Sequence, residues 1–329
     1  MFEMELRTAI KIDECRGMIT HADATVLLGS CFSDNIGARM RTAMMNVDVN
    51  AFGPIYNPLS IATNLQRAID GTPLMGDDVF LAGGMWNSFL FHSKMSRSNK
   101  LRALEGMNRR IASCHEHLLN ARTLIVTLGT AMVYRHRPTG CVVSNCHKLP
   151  GHEFARSMAS IDDMTDALHR TFNSLLKLNS GINIIITVSP IRHIADGLSQ
   201  NSLSKAMLRV VADNLVRLMP DKVVYFPSYE IVMDDLRDYR FYAADMVHPS
   251  DVAVEYIWQA FQATFFDDRT SQAVARCERV SKRLNHRHIT DNAEAIARFD
   301  ADTRAVVANL IKEYPYIASH PAIKAATMI

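Results

Sequence analysis

The sequence has no excess of either charge: 36 Lys and Arg stand against 34 Asp and Glu in 329 residues, a net charge of +2. It also has no basic run, so it lacks the electrostatic footprint that nucleic acid or an anionic membrane surface calls for. Long apolar runs are missing too. The longest, around residues 184–188, is far short of the about 20 residues of a membrane span. The opening Met1-Phe2-Glu3-Met4-Glu5-Leu6-Arg7 carries acids where a secretory leader needs a basic flank and an apolar core, and a cytoplasmic protein is expected. The six cysteines form no spaced framework and no Cys-x-x-Cys, as expected of a chain kept in a reducing compartment. His136, Cys141, Cys146, His147 and His152 crowd one stretch but match no established ligand spacing, so no metal is expected. Gly29 and Gly37 make no dinucleotide fingerprint, and no cofactor is expected. There is neither an internal repeat nor a low-complexity tract.

What is present is a chain 48% hydrophobic, able to bury a substantial core. Five short runs rich in β-branched residues stand at 25–28, 47–51, 124–128, 182–188 and 222–226. Four are nearly continuously apolar, as parallel strands buried on both faces are; 47–51 is more mixed. Helical patterns lie between and after them, at 34–45, 59–69, 101–119, 161–178, 202–218 and 252–265. The alternation predicts a doubly wound parallel sheet, whose ligand site belongs at the carboxyl ends of the strands. Three runs end there in polar or turn-forming clusters: Gly29-Ser30-Cys31, Gly129-Thr130 and Ser189-Pro190. Two stretches, 71–99 and 135–160, break the alternation and read as long loops that wall a pocket. Trp86, His92 and Ser93 in the first either line that pocket or pack the loop on the body. Residues 1–269 are expected to form the main domain. Residues 270–329 read as a helical extension packed on it, with helices at 273–284 and 293–313, the second ended by Tyr314-Pro315.

Two clusters carry chemistry. Around Gly29-Ser30-Cys31-Phe32-Ser33-Asp34, a strand turns sharply into a helix start. Unpaired N–H groups there favour a thiolate and a developing oxyanion, although Ser at such a place is more often a plain cap. In Asp245-Met246-Val247-His248-Pro249, an acid and a histidine three apart on a loop can project together, the carboxylate orienting an imidazole base. The plain alternative is a surface acid and a capping histidine.

Taken together, these segments resemble the GSCFA domain family, with Ser33 in place of the final Ala of its signature. The resemblance continues through Asn50-Ala51-Phe52-Gly53-Pro54-Ile55-Tyr56-Asn57-Pro58-Leu59-Ser60 and Thr127-Leu128-Gly129-Thr130-Ala131. It also covers Asn145-Cys146-His147-Lys148, Val188-Ser189-Pro190-Ile191-Arg192-His193, Tyr225-Phe226-Pro227-Ser228-Tyr229-Glu230 and Asp245-Met246-Val247-His248-Pro249. It spans roughly residues 22–265, and Ala51 departs from the family's usual Pro.

That family looks like a branch of the SGNH/GDSL hydrolases. The resemblance implies a flavodoxin-like three-layer α/β fold with strand order 2-1-3-4-5, to which the five apolar runs give the strand count and residues 270–329 add the C-terminal helical extension. It implies an acyl-group hydrolase, esterase- or thioesterase-like, working through a covalent acyl-enzyme with a Cys/Ser-His-Asp triad. Asp245 and His248 match the family's last block. Alignment on Gly29 puts Cys31 at the nucleophile's position, residue type puts Ser30 there, and register favours Cys31 while leaving both open. Gly53 fits the second oxyanion position. The Asn expected after the third strand is missing, with Thr130 or Asn145 as substitutes. Asn145 and His147 are expected at the pocket, with His92 as a further candidate, and Arg192 for a carboxylate or phosphate. The implied partner is a small-molecule or glycan acyl substrate, or a coenzyme A or carrier-protein thioester. Two alternatives remain: an acyltransferase of glycan or natural-product biosynthesis, and a non-catalytic ligand-binding protein on the same fold.

Overall fold

Every residue of Ala24–Gly29 (β1) is buried, as a continuous apolar strand at the centre of a sheet must be. In the computed structural model, which describes residues 8–327, β1 pairs in parallel with Val47–Val49 (β2) on one side and Ala121–Leu128 (β3) on the other. Asn183–Val188 (β4) continues the sheet beside β3, and Val223–Phe226 (β5) closes it. The five strands are all parallel in the expected order 2-1-3-4-5. The order reverses between β1 and β3, where such a sheet leaves a crevice at its carboxyl end.

The helices are Cys31–Thr42 (α1), Pro58–Asp70 (α2), Lys100–Asn120 (α3), Ile161–Leu178 (α4), Leu198–Leu218 (α5) and Asp251–Phe265 (α6). Ser30, Asn57, Asn99, Ser160 and Ser250 cap five of them, each side chain accepting a first-turn N–H. Alternate strand residues face opposite layers. Val26, Leu28, Val126 and Ile186 pack with α2, α3, α4 and α5. Leu27, Ile125, Ile185 and Phe226 pack with α1 and α6, where Trp258, Phe261 and Phe265 fill the space.

The C-terminal region is helical: Asp268–Leu284 (α7), Ala293–Glu313 (α8) and Pro321–Thr327 (α9). α8 ends before Pro315, which has no N–H to continue it. Ala273, Cys277, Val307, Leu310 and Ile317 bury one another with Met44. The Ser281 hydroxyl donates to Thr42 O at 2.6 Å, and Tyr316 Oη meets His21 Nδ1 at 3.0 Å, fastening these helices beside α1.

The two irregular stretches hold more structure than long loops. Phe80–Ala82 and Met85–Asn87 form a hairpin around Gly83-Gly84, both at positive φ. Met132–His136 runs antiparallel to both Val142–Val143 and Phe154–Met158. These strands are short or largely exposed and carry no long apolar run, so they do not stand out from a loop. Among the described residues, no helix is long and apolar enough to cross a membrane.

Candidate active site

The turn after β1 admits one residue type at its pivot. Gly29 has φ 141°, and a Cβ there would collide with the backbone carbonyl of Thr127. Its N–H donates to Asn50 Oδ1 at 2.9 Å, and Asn50 Nδ2 donates to Asp34 Oδ1 at 2.7 Å, so β1, the loop after β2 and α1 are locked together. Ser33 Oγ adds a 2.8 Å bond to Thr127 Oγ1.

In that frame Ser30 and Cys31 separate in role. Ser30 is 1% exposed, and its Oγ accepts the Phe32 N–H at 3.2 Å as the cap of α1. Cys31 is the first helical residue, half-buried, with Sγ 3.5 Å from Tyr56 Oη. The Ser33 N–H goes to Ser30 O. Among the described residues, the Cys31 N–H is therefore the first-turn donor left for a ligand.

The second cluster folds as a tight loop. Ala243 donates its N–H to His248 O at 2.7 Å, and Met246 takes a positive φ of 58° to close it. Asp245 Oδ1 accepts the N–H groups of Val247 and His248, both at 3.0 Å, while Oδ2 lies 2.6 Å from His248 Nδ1. Those two N–H groups, then the imidazole, hold the Asp245 carboxyl down to about 2. With Nδ1–H donated to Asp245, Nε2 is the basic nitrogen of His248.

Cys31 and His248 line one cavity of about 510 Å³ at the carboxyl ends of β1, β3 and β4, with Ser30, Thr130, Asn145 and Arg192 also on its walls. Thr130 is tied into the wall: its N–H goes to Tyr56 O, and its Oγ1 contacts Ser204 Oγ and accepts the Met132 N–H. Asn145 Oδ1 accepts the His147 N–H at 2.8 Å, and its amide nitrogen has no partner among the described residues. Arg192 Nη2 reaches Met233 Sδ at 3.5 Å, and its guanidinium lies 5.4 Å from the centre of the Tyr242 ring.

Gly53, His92 and His147 lie outside this lining. The Gly53 N–H is used at 2.7 Å by Asn50 O, and its α-carbon packs on His92, so it has no donor to offer an oxyanion in this arrangement. His92 Nδ1 caps the turn at Ser93–Met95. His147 Nε2 is bound to Ser88 O at 2.8 Å. Trp86 packs partly buried against the core and pairs with Arg97, and His92 packs against Gly53, so packing describes these two better than a groove lining, while Ser93 is exposed. His136, Cys141, Cys146, His147 and His152 are spread over the small sheet and its loops. Among the described residues, no three His, Cys, Asp or Glu side chains come together at a site for a metal.

Tyr56 and the start of α5 went unrecognised from sequence. Asn201 Oδ1 accepts the His193 N–H at 2.9 Å, and Ser204 Oγ accepts the Ala131 N–H at 2.7 Å. Lys205, 1% exposed, donates to Gly129 O at 2.6 Å and Ser189 O at 2.7 Å, bridging the ends of β3 and β4. Burial pulls the Lys205 ammonium down to about 7. Burial first, then Lys205 and His248, hold the cavity-lining His193 down to about 4, so its imidazole is neutral near pH 7. A signal for this clamp existed. Asn201, Ser204 and Lys205 continue, at helical spacing, the buried stripe of Leu208, Val211, Ala212 and Leu215.

No curated protein matches the chain at a significant level. The GSCFA family model matches residues 24–261, which hold all five sheet strands, the Gly29 turn and the Asp245–His248 loop, and the chain is a member of the GSCFA family.

Proposed function

We propose that the protein is an acyl-group hydrolase, esterase- or thioesterase-like, that works through a covalent acyl-enzyme on Cys31. One observation carries this reading: a thiol at the start of α1 and an imidazole held by a carboxylate open on the same cavity. The Cys31 Sγ bonds to the substrate's acyl carbon as the thiol proton passes to His248 Nε2, and Asp245 stabilises the imidazolium. The Cys31 N–H and the Asn145 amide are the donors that face the developing oxyanion. The carbon–oxygen or carbon–sulfur bond to the leaving group then breaks, and His248 returns the proton to it. In the second half, water gives a proton to His248 and attacks the thioester. The carboxylic acid departs and the thiol is restored. Tyr56 Oη, beside Sγ, fixes the thiol's rotamer. Ser30 caps the helix and takes no part in bond making. All six cysteines are free thiols, as a cytoplasmic setting would keep them.

The reading is tested by intact mass after brief exposure to an activated acyl ester. One acyl group on the peptide containing Cys31, absent in His248→Ala, is the expected result. Label on Ser30, or none on the folded protein with any ester tried, refutes it.

A further inference from the structure

We propose that Arg192 is an anion-binding element of the cavity, so that the substrate carries a carboxylate or a phosphate near its acyl bond. This rests on the acyl-enzyme reading above. Arg192 follows the end of β4 in a wall of the same cavity as Cys31 and His248. The other arginine of that cavity, Arg156, is paired with Asp196. Arg192 has no carboxylate partner among the described residues; its contacts are the Met233 thioether and the face of Tyr242.

The nearby acids are committed elsewhere. Glu230 holds Arg209 at 2.6 Å and accepts from Tyr225 Oη at 2.7 Å, and Asp234 lies 3.5 Å from Arg237. Asp245 is turned to His248. Arg192 is thus a cation held in place by an aromatic face, with its hydrogen-bonding fork largely unspent. A planar guanidinium so placed matches the two oxygens of a carboxylate or phosphate, and charge-assisted pairs of that kind are the strong ones. Neutral His193 beside it adds no competing positive charge.

Two matched pairs of acyl donors read the proposal. One is 4-nitrophenyl butyrate against 4-nitrophenyl succinate, which puts a carboxylate in place of the terminal methyl on the acyl side. The other is S-acetylpantetheine against S-acetyl-4′-phosphopantetheine, which adds a phosphate on the leaving side. The wild-type protein prefers the anionic member of at least one pair in kcat/KM. Arg192→Gln lowers that anionic-to-neutral ratio by about 10-fold or more, as losing a charge-assisted contact should. Arg192→Lys restores part of it, because it keeps the charge and loses the fork. A preference in the succinate pair assigns a carboxylate, and one in the pantetheine pair a phosphate. A wild-type ratio near one in both pairs, or a ratio unmoved in Arg192→Gln, overturns the proposal. If no donor acylates Cys31, the acyl-enzyme reading fails, and calorimetric titration with succinate and inorganic phosphate decides the anion site alone. Binding that Arg192→Gln abolishes upholds the site; no binding to the wild-type protein refutes it.

Discussion

The Asp245 carboxylate holds His248 at two points, its Oδ2 against the ring Nδ1 at 2.6 Å and its Oδ1 on the backbone N–H of the same residue at 3.0 Å. One grip sets the tautomer and the other sets where the ring starts from, so the imidazole is aimed before a substrate arrives. The pair lies on an exposed loop, and its order comes from these bonds and from Pro249, which disfavours helical backbone at His248 before α6.

Asp245→Asn should lower kcat/KM by about 1,000-fold or more, since the imidazole loses both its orientation and its counter-charge. The thermal midpoint should move by no more than about 4 °C, because the loop is at the surface. The Asp245 carboxyl is held down to about 2. Its stabilising bonds are therefore complete above the unfolded carboxylate range and are lost only as pH falls through about 2. Any acid limb in the rate profile above pH ~4 must come from another group. Steady-state rates from pH 4 to 9 and a thermal melt check both points.

Ser30→Ala should remove the cap of α1, costing about 1 kcal/mol, and retain most of the turnover. Denaturant unfolding and initial rates measure the two effects separately. A turnover loss of several orders of magnitude in a folded Ser30→Ala protein would move the chemistry from the thiol to the hydroxyl.

Lys205→Met should change how stability depends on pH. The folded-state ammonium sits near 7, against 10.5 for an exposed lysine. The unfolded chain therefore holds the extra proton between those values, and this group makes stability rise with pH from about 7 upward, by at most about 1.4 kcal/mol per pH unit. Lys205→Met abolishes that contribution and leaves the carbonyls of Gly129 and Ser189 without their donor, a loss of about 2 kcal/mol or more. Urea unfolding at pH 7, 8 and 9 shows a shallower slope for the variant, the thiol contribution in that window being common to both proteins. Equal slopes would mean that Lys205 is not the group that titrates.

The sheet was legible in the sequence because its strands are buried on both faces. Short β-branched runs such as Leu124-Ile125-Val126, set between helical stripes, read as central strands, and all three residues are buried. The Asp-x-x-His loop was legible because both partners lie within one turn of chain. What stayed hidden depends on distant chain meeting. Lys205 reads as a solvated residue on a helix until Gly129 and Ser189, 76 and 16 residues away, supply its acceptors. The family resemblance puts Gly53 at an oxyanion donor's position, but its N–H is taken up by the turn from Asn50, a bond that the motif does not display. The small sheet joins the two-residue Val142–Val143 to Met132–His136 and Phe154–Met158, whose exposed polar residues leave no apolar run to read.

The residual turnover of Cys31→Ala tests the central claim most directly. Nucleophile and base act as a unit, so removing the thiol should cost several orders of magnitude in kcat while the thermal midpoint stays close to that of the wild-type protein. A folded Cys31→Ala protein that keeps a tenth or more of wild-type activity would contradict the account.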